Sequence, residues 1–152
     1  SPTAPTTPTN PTFTATLPPG NETPAIVGGE AAGSGTATVT IVTTKDGAGN
    51  VTAATATFVV VMSGFPAGTT ISNAHIHAAA AGTNGAVVVP SGITNGANVV
   101  AANGTVSFTA ANLTITPVDV ANQILANPAG FYFNVHTTLN PGGVARGQLV
   151  RQ

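Results

Sequence analysis

Two stretches of this sequence alternate small or hydroxylated residues with larger apolar ones, and a glycine-rich turn joins them. Residues 35–44 read GTATVTIVTT, so Ala37, Val39 and Ile41 share one face and threonines the other. Residues 51–62 place Ala54, Ala56, Phe58, Val60 and Met62 on one side. A period of two is the signature of a half-buried strand. The segment between them, KDGAGN from Lys45 to Asn50, is a turn by composition. Further strands are predicted at Phe13–Leu17, Thr70–His77, Ala86–Val89, Thr105–Thr109, Phe131–Thr137 and Ala145–Val150. Thr116-Pro117 is placed to cap one short helix, Val118–Ala126, with proline at its first position and Asp119 in its first turn. Seven or more short strands with frequent turn signals predict an all-β fold, an antiparallel β-sandwich or Greek-key barrel.

The composition says what such a sandwich does not do. Charged residues make up 5% of the 152, with 3 Lys+Arg against 4 Asp+Glu and a formal net charge of −1. An average soluble domain carries roughly 25%. Without a basic patch there is no grip on nucleic acid or on anionic lipid. No apolar run approaches the ~20 residues of a membrane span. Four carboxylates leave little for acid–base catalysis, and the absence of cysteine excludes disulfides and thiol chemistry. Threonine and asparagine solubilise the surface instead of charge. The start at Ser1, without an initiator methionine, fits a processed, exported chain, and equally a trimmed one.

Residues 1–11 read SPTAPTTPTNP, and four prolines in eleven positions exclude a helix or a central strand. This stretch is predicted to be an extended tail, docked on a neighbouring copy by adding a strand or lying in a groove. The folded domain then spans residues 12–152.

The three histidines lie in two strand segments. In Asn73-Ala74-His75-Ile76-His77 the two imidazoles are two residues apart and project from one face. In Phe131-Tyr132-Phe133-Asn134-Val135-His136 the apolar face is Phe131, Phe133 and Val135, and His136 stands opposite with Tyr132 and Asn134. All three rings therefore belong to the faces turned away from the core. If the strands are neighbours, His75, His77 and His136 converge on one ion. Imidazole suits copper and zinc. Copper is the expected metal and zinc the alternative. Tyr132 and Asn134 are candidate hydrogen-bond partners of the ligands.

Several of these pieces together resemble the chordin-type (CHRD) domain over residues 12–152. They are Gly20-Asn21-Glu22-Thr23-Pro24, Ala74-His75-Ile76-His77, Asn84-Gly85-Ala86-Val87-Val88-Val89, and Phe131 to Thr137 leading into Gly142-Gly143-Val144-Ala145-Arg146-Gly147-Gln148-Leu149. The resemblance implies an extracellular β-sandwich. The family has an acidic residue after the paired glycines; here Val144 stands there, which puts the family's salt bridge at that point in doubt. The sequence is similar, more weakly, to copper–zinc superoxide dismutase. There a His-x-His strand and a later histidine strand hold copper, and an arginine follows a glycine-rich loop. That likeness implies a dismutase-like sandwich with a three-histidine copper site and matches Arg146 to the arginine by position. No histidine remains to bridge two metals, and the disulfide cysteines are absent. With 3 Lys+Arg there is little field to steer an anion. Arg146 has a second reading, as a guanidinium capping loop carbonyls beside Gly142-Gly143. A zinc-bound hydroxide is a further alternative, although no carboxylate stands near the histidines in sequence.

Three functions fit. The first is an extracellular or cell-surface structural subunit that assembles with itself through residues 1–11 and carries copper on His75, His77 and His136. The second is a metalloenzyme using the same three histidines for redox or hydrolytic chemistry. The third is a monomeric adhesion module.

Overall fold

Strands β2 (Ser34–Lys45) and β3 (Val51–Ser63) form the long hairpin that the alternation predicts, paired from Ser34↔Ser63 to Lys45↔Val51. Asp46 closes the turn: its carboxylate accepts the backbone N–H groups of Ala48 and Asn50 at 2.9 and 3.0 Å. In this computed structural model, which describes residues 10–93 and 99–152, the hairpin is the centre of a five-stranded antiparallel sheet. Its other members are β1 (Thr12–Leu17), β7 (Val106–Thr114) and the two-residue β10 (Val150–Arg151), in the order β10-β1-β2-β3-β7. A second antiparallel sheet runs β5-β4-β8-β9, from β5 (Ala86–Pro90), β4 (Thr69–Ala78), β8 (Phe131–Thr137) and β9 (Ala145–Gln148). The short β6 (Val99–Ala101) pairs with the start of β4. The all-β sandwich is as predicted.

The inward faces are the predicted ones. Ala37, Val39 and Ile41 from β2, and Ala56, Phe58 and Val60 from β3, are fully buried. They meet Ala74 and Ile76 of β4 and Phe133 and Val135 of β8. Phe58 and Phe133 join the sheets edge to face, with ring centroids 5.0 Å apart. Burying each such side chain contributes about 1.5–3 kcal/mol. The solvent face of the first sheet is uncharged: Thr14, Thr38 and Val59 lie side by side on it, as do Thr16, Thr36 and Val61.

Four details differ from the sequence reading. The segment read as one strand, Ala145–Val150, divides: β9 pairs with β8 in the second sheet and β10 pairs with β1 in the first, with buried Leu149 between them. The chain changes sheets there. Strand β7 continues past Thr109 to Thr114 through a bulge, where Ala111 and Asn112 stand opposite Thr57 and break the alternation. Strand β6 has too few residues to show a period. The helix α1 spans Asp119–Ala126, so Pro117 lies before it rather than at its first position; no side chain caps it, and the Pro117 carbonyl accepts the Val120 N–H. The predicted docking of residues 1–11 concerns a segment of which residues 1–9 lie outside the described residues.

The two sheets approach closely where β9 crosses β1. A Cβ added to Gly147 would stand 1.8 Å from the Thr16 carbonyl oxygen, so only glycine fits. Gly147→Ala is expected to force these strands apart and cost about 1–3 kcal/mol. Urea unfolding checks this, and an unchanged midpoint would contradict it.

Candidate metal centre

The pairing of β4 with β8 decides whether the three rings meet. The register sets His75 opposite Asn134, His77 opposite Tyr132 and Asn73 opposite His136. His136 is therefore diagonal to His75 on the shared face, within reach of a ring. A bulge at Ser72, where Ile71 pairs with Thr137 and Asn73 with His136, lets both Ile71 and Ala74 face the core without disturbing the phase of His75 and His77. One ligand nitrogen from each of the three histidines lies within 4.8 Å of the others. Two nitrogens bonded to one ion at about 2.0–2.1 Å stand at most ~4 Å apart. Small ring rotations close the difference.

The face turned away from the core is nevertheless buried. His75, His77 and His136 are 8, 9 and 6% exposed, and every residue of β8 is buried. Hydrogen bonds fix how two of the rings are presented. His77 Nδ1 donates to the Gly85 carbonyl at 2.9 Å, and His136 Nδ1 donates to the Pro141 carbonyl at 2.9 Å. Their Nε2 atoms keep the lone pairs. His75 Nδ1 stands 3.1 Å from His77 Nε2. The buried Nε2 of His136 has no hydrogen-bond partner. A neutral imidazole nitrogen left unpaired in the interior is costly unless an ion fills its lone pair.

All three imidazoles hold their protons weakly. Burial pushes His75 down to about 3, helped by His136 and His77 alongside. Burial also lowers His77 and His136, against the raising effect of the carbonyls they bond; Arg146 lowers both further, as His77 does for His136. The site therefore presents neutral nitrogen donors at physiological pH, the form that binds metals.

Beside the rings lies a second polar cluster. Arg146 donates through Nε and Nη2 to Glu22 Oε2 at 3.1 and 3.0 Å, through Nη1 to the Thr83 carbonyl, and through Nη2 to Asn84 Oδ1. Its guanidinium lies 4.4 Å from the centroid of the Tyr132 ring, and Tyr132 stacks on His77 with centroids 4.8 Å apart. The Tyr132 hydroxyl accepts the Gly85 N–H at 3.1 Å, and the Gly85 carbonyl holds His77. Asn134 donates to Glu22 Oε1 and to the Ala145 carbonyl. Burial raises the Glu22 carboxyl, and the Arg146 and Asn134 hydrogen bonds pull it back. A cleft of about 460 Å³ opens beside this cluster, with exposed Val27 and Leu139 on its lining.

The structure thus brings His75, His77 and His136 together as predicted and revises the roles of their neighbours. Neither Tyr132 nor Asn134 hydrogen-bonds a ligand ring: Tyr132 stacks on His77, and Asn134 anchors Glu22. Arg146 does reach one loop carbonyl, that of Thr83, but its main partner is Glu22. Four of its five N–H donors are bonded, to Glu22, Thr83 and Asn84. Val144 is buried, and among the described residues Arg146 forms its salt bridge with Glu22, from the other end of the chain. The carboxylate not seen near the histidines in sequence is also Glu22, whose motif Gly20-Asn21-Glu22-Thr23-Pro24 carried the signal. The carbonyls of Gly85 and Pro141 had none, because any residue supplies a carbonyl.

The family model of the CHRD domain matches residues 13–149. The chain belongs to the CHRD domain family. CHRD domains are generally extracellular domains. In this CHRD domain the matched span holds the second sheet, the first sheet apart from β10 and the first residue of β1, the three histidines and the Glu22–Arg146 pair. No curated protein and no solved structure matches the chain. Among the described residues no helix is long and apolar enough to cross a membrane.

Two outcomes follow for the metal-free CHRD domain. Above pH ~6.5 the histidines are neutral whether the chain is folded or unfolded, and they do not affect stability. Below it the unfolded chain takes up protons that the buried rings refuse. Stability then falls with pH, by at most about 1.4 kcal/mol per unit for each histidine. For His75 the loss continues down to about 3. Urea titrations between pH 7 and 4 check this, and a pH-independent midpoint would contradict it. Arg146→Met leaves the Glu22 carboxylate buried without its partner and is expected to cost about 3–5 kcal/mol by the same titration. Glu22→Gln combined with Arg146→Met should recover part of that loss.

Proposed function

We propose that this CHRD domain is an extracellular structural module whose three-histidine centre binds one copper ion. The observation that carries the reading is the buried, unpartnered Nε2 of His136, aimed at the same point as the donors of His75 and His77. The donor set supports copper. Three imidazole nitrogens with no thiolate suit copper, zinc, iron or nickel, and of the first-row divalent ions copper(II) binds such nitrogens most tightly. Zinc is the competing occupant. When bound, copper supplies a redox-active centre with room for a further ligand. The chain's own part is to hold two nitrogens by their carbonyl partners and to keep all three neutral.

Self-association is the second half of the proposal. The strands expose few of the charges that usually discourage edge pairing, with Lys45 at the end of β2 and Arg151 in β10, and the Pro/Thr-rich residues 1–11 suit an extended segment laid along a neighbouring copy. Head-to-tail contacts of that kind build open filaments unless they close into a ring. Deleting residues 1–11 should leave monomers in light scattering, and unchanged polymers would refute the role of the tail.

For the metal, competition with a chromophoric chelator is expected to show one copper(II) per chain. His136→Ala should weaken binding by at least about 10-fold, since it removes one of three donors. His75→Ala and His77→Ala should do the same. Wild-type affinity in all three variants would refute the site.

A further inference from the structure

The excursion between β1 and β2, residues 18–33, carries two of the chain's four acidic side chains, Glu22 and Glu30, and both are buried. Glu22 is accounted for by Arg146. Glu30, in the short 3-10 turn Gly29–Ala32, has no ion-pair partner among the described residues. Its Oε1 accepts the hydroxyl of Thr137 and the side-chain amide of Asn140, the latter at 2.8 Å. Thr137 is the residue after His136. Asn140 is the residue before Pro141, whose carbonyl holds His136 Nδ1.

The loop between them is tied at that one carboxylate. The Asn140 N–H donates to Thr137 Oγ1 at 3.0 Å, and the Asn140 carbonyl accepts the N–H groups of Thr137 and Gly143 at 3.3 and 3.1 Å. Glu30 is the only side chain from outside the loop that bonds Asn140 among the described residues. Without it, Asn140 keeps its backbone bonds but loses its anchor to the sandwich, and the next carbonyl along is the one that orients His136.

We propose that Glu30 is a positioning residue of the metal centre: through Thr137 and Asn140 it fixes the Pro141 carbonyl, and so keeps His136 Nε2 turned toward the ion. The inference rests on the metal-binding reading above. A partner that orients a ligand histidine is worth about 10–100-fold in metal affinity when removed. A carboxylate that acts through an intervening loop belongs at the lower end of that range.

The test is a copper(II) titration of the full chain, with electron paramagnetic resonance of the loaded protein as a readout that loss of stability alone would not move. Glu30→Ala is expected to weaken copper about 10-fold and to change the nitrogen hyperfine pattern. Glu30→Gln, which keeps an acceptor oxygen for both donors, should restore most of the loss. Asn140→Ala leaves Glu30 and Thr137 in place and cuts only the link to the loop, so it keeps the test open if Glu30→Ala does not fold. It should reproduce the weakened binding. Wild-type affinity and spectrum in folded Glu30→Ala or Asn140→Ala would overturn the inference, as would equal impairment of Glu30→Ala and Glu30→Gln. If the wild-type chain itself bound no copper, the metal reading would fail instead, and the two failures are distinguishable.

Discussion

The polar face of the second sheet is covered along β8, and most of what is particular to this protein follows from that. In a simple sandwich the residues opposite the core meet water. Here β8 is buried on both faces, so Tyr132, Asn134, His136 and Thr137 all lie inside. Buried polar groups are tolerated only when they are paired. The chain meets this demand with segments brought from elsewhere: residues 18–33 supply Glu22 and Glu30, residues 79–85 supply the Gly85 carbonyl, and residues 138–143 supply the Pro141 carbonyl. Of the seven charged side chains, Glu22, Glu30 and Arg146 are spent in this layer.

One buried atom escapes that pairing. His136 Nε2 is the single buried side-chain polar atom without a partner among the described residues. It sits where His75 and His77 also point. Elsewhere the network is satisfied, down to the Tyr132 hydroxyl and both oxygens of Glu22. An otherwise closed network that leaves open a lone pair beside two other imidazoles is the pattern of a ligand site. The same burial that keeps the rings neutral keeps them ready for a cation.

The sequence carried the sheet faces because period two is a local property. Phe58, Val60, Ile76 and Phe133 could be assigned inward from their neighbours alone. Face parity also placed the three histidines together, since it depends on local phase and on β4 and β8 being adjacent. What stayed hidden is non-local. Nothing in the neighbourhood of Glu22 announces Arg146, which lies 124 residues on. The exchange of sheets at Leu149 is likewise invisible in a run that reads as one strand. The carbonyls that orient His77 and His136 have no residue signature at all. Arg146 shows the limit of matching by position: the dismutase likeness paired it with an arginine near the C-terminus, and its partners make it a strut for Glu22.

The central claim is that His75, His77 and His136 hold one ion between them. The most direct measurement is anomalous diffraction at the copper edge from crystals of the full chain loaded with one equivalent of copper. The account predicts a single peak within about 2.0–2.2 Å of one nitrogen from each ring. A peak bound elsewhere on the chain, or none between the three imidazoles, would contradict it.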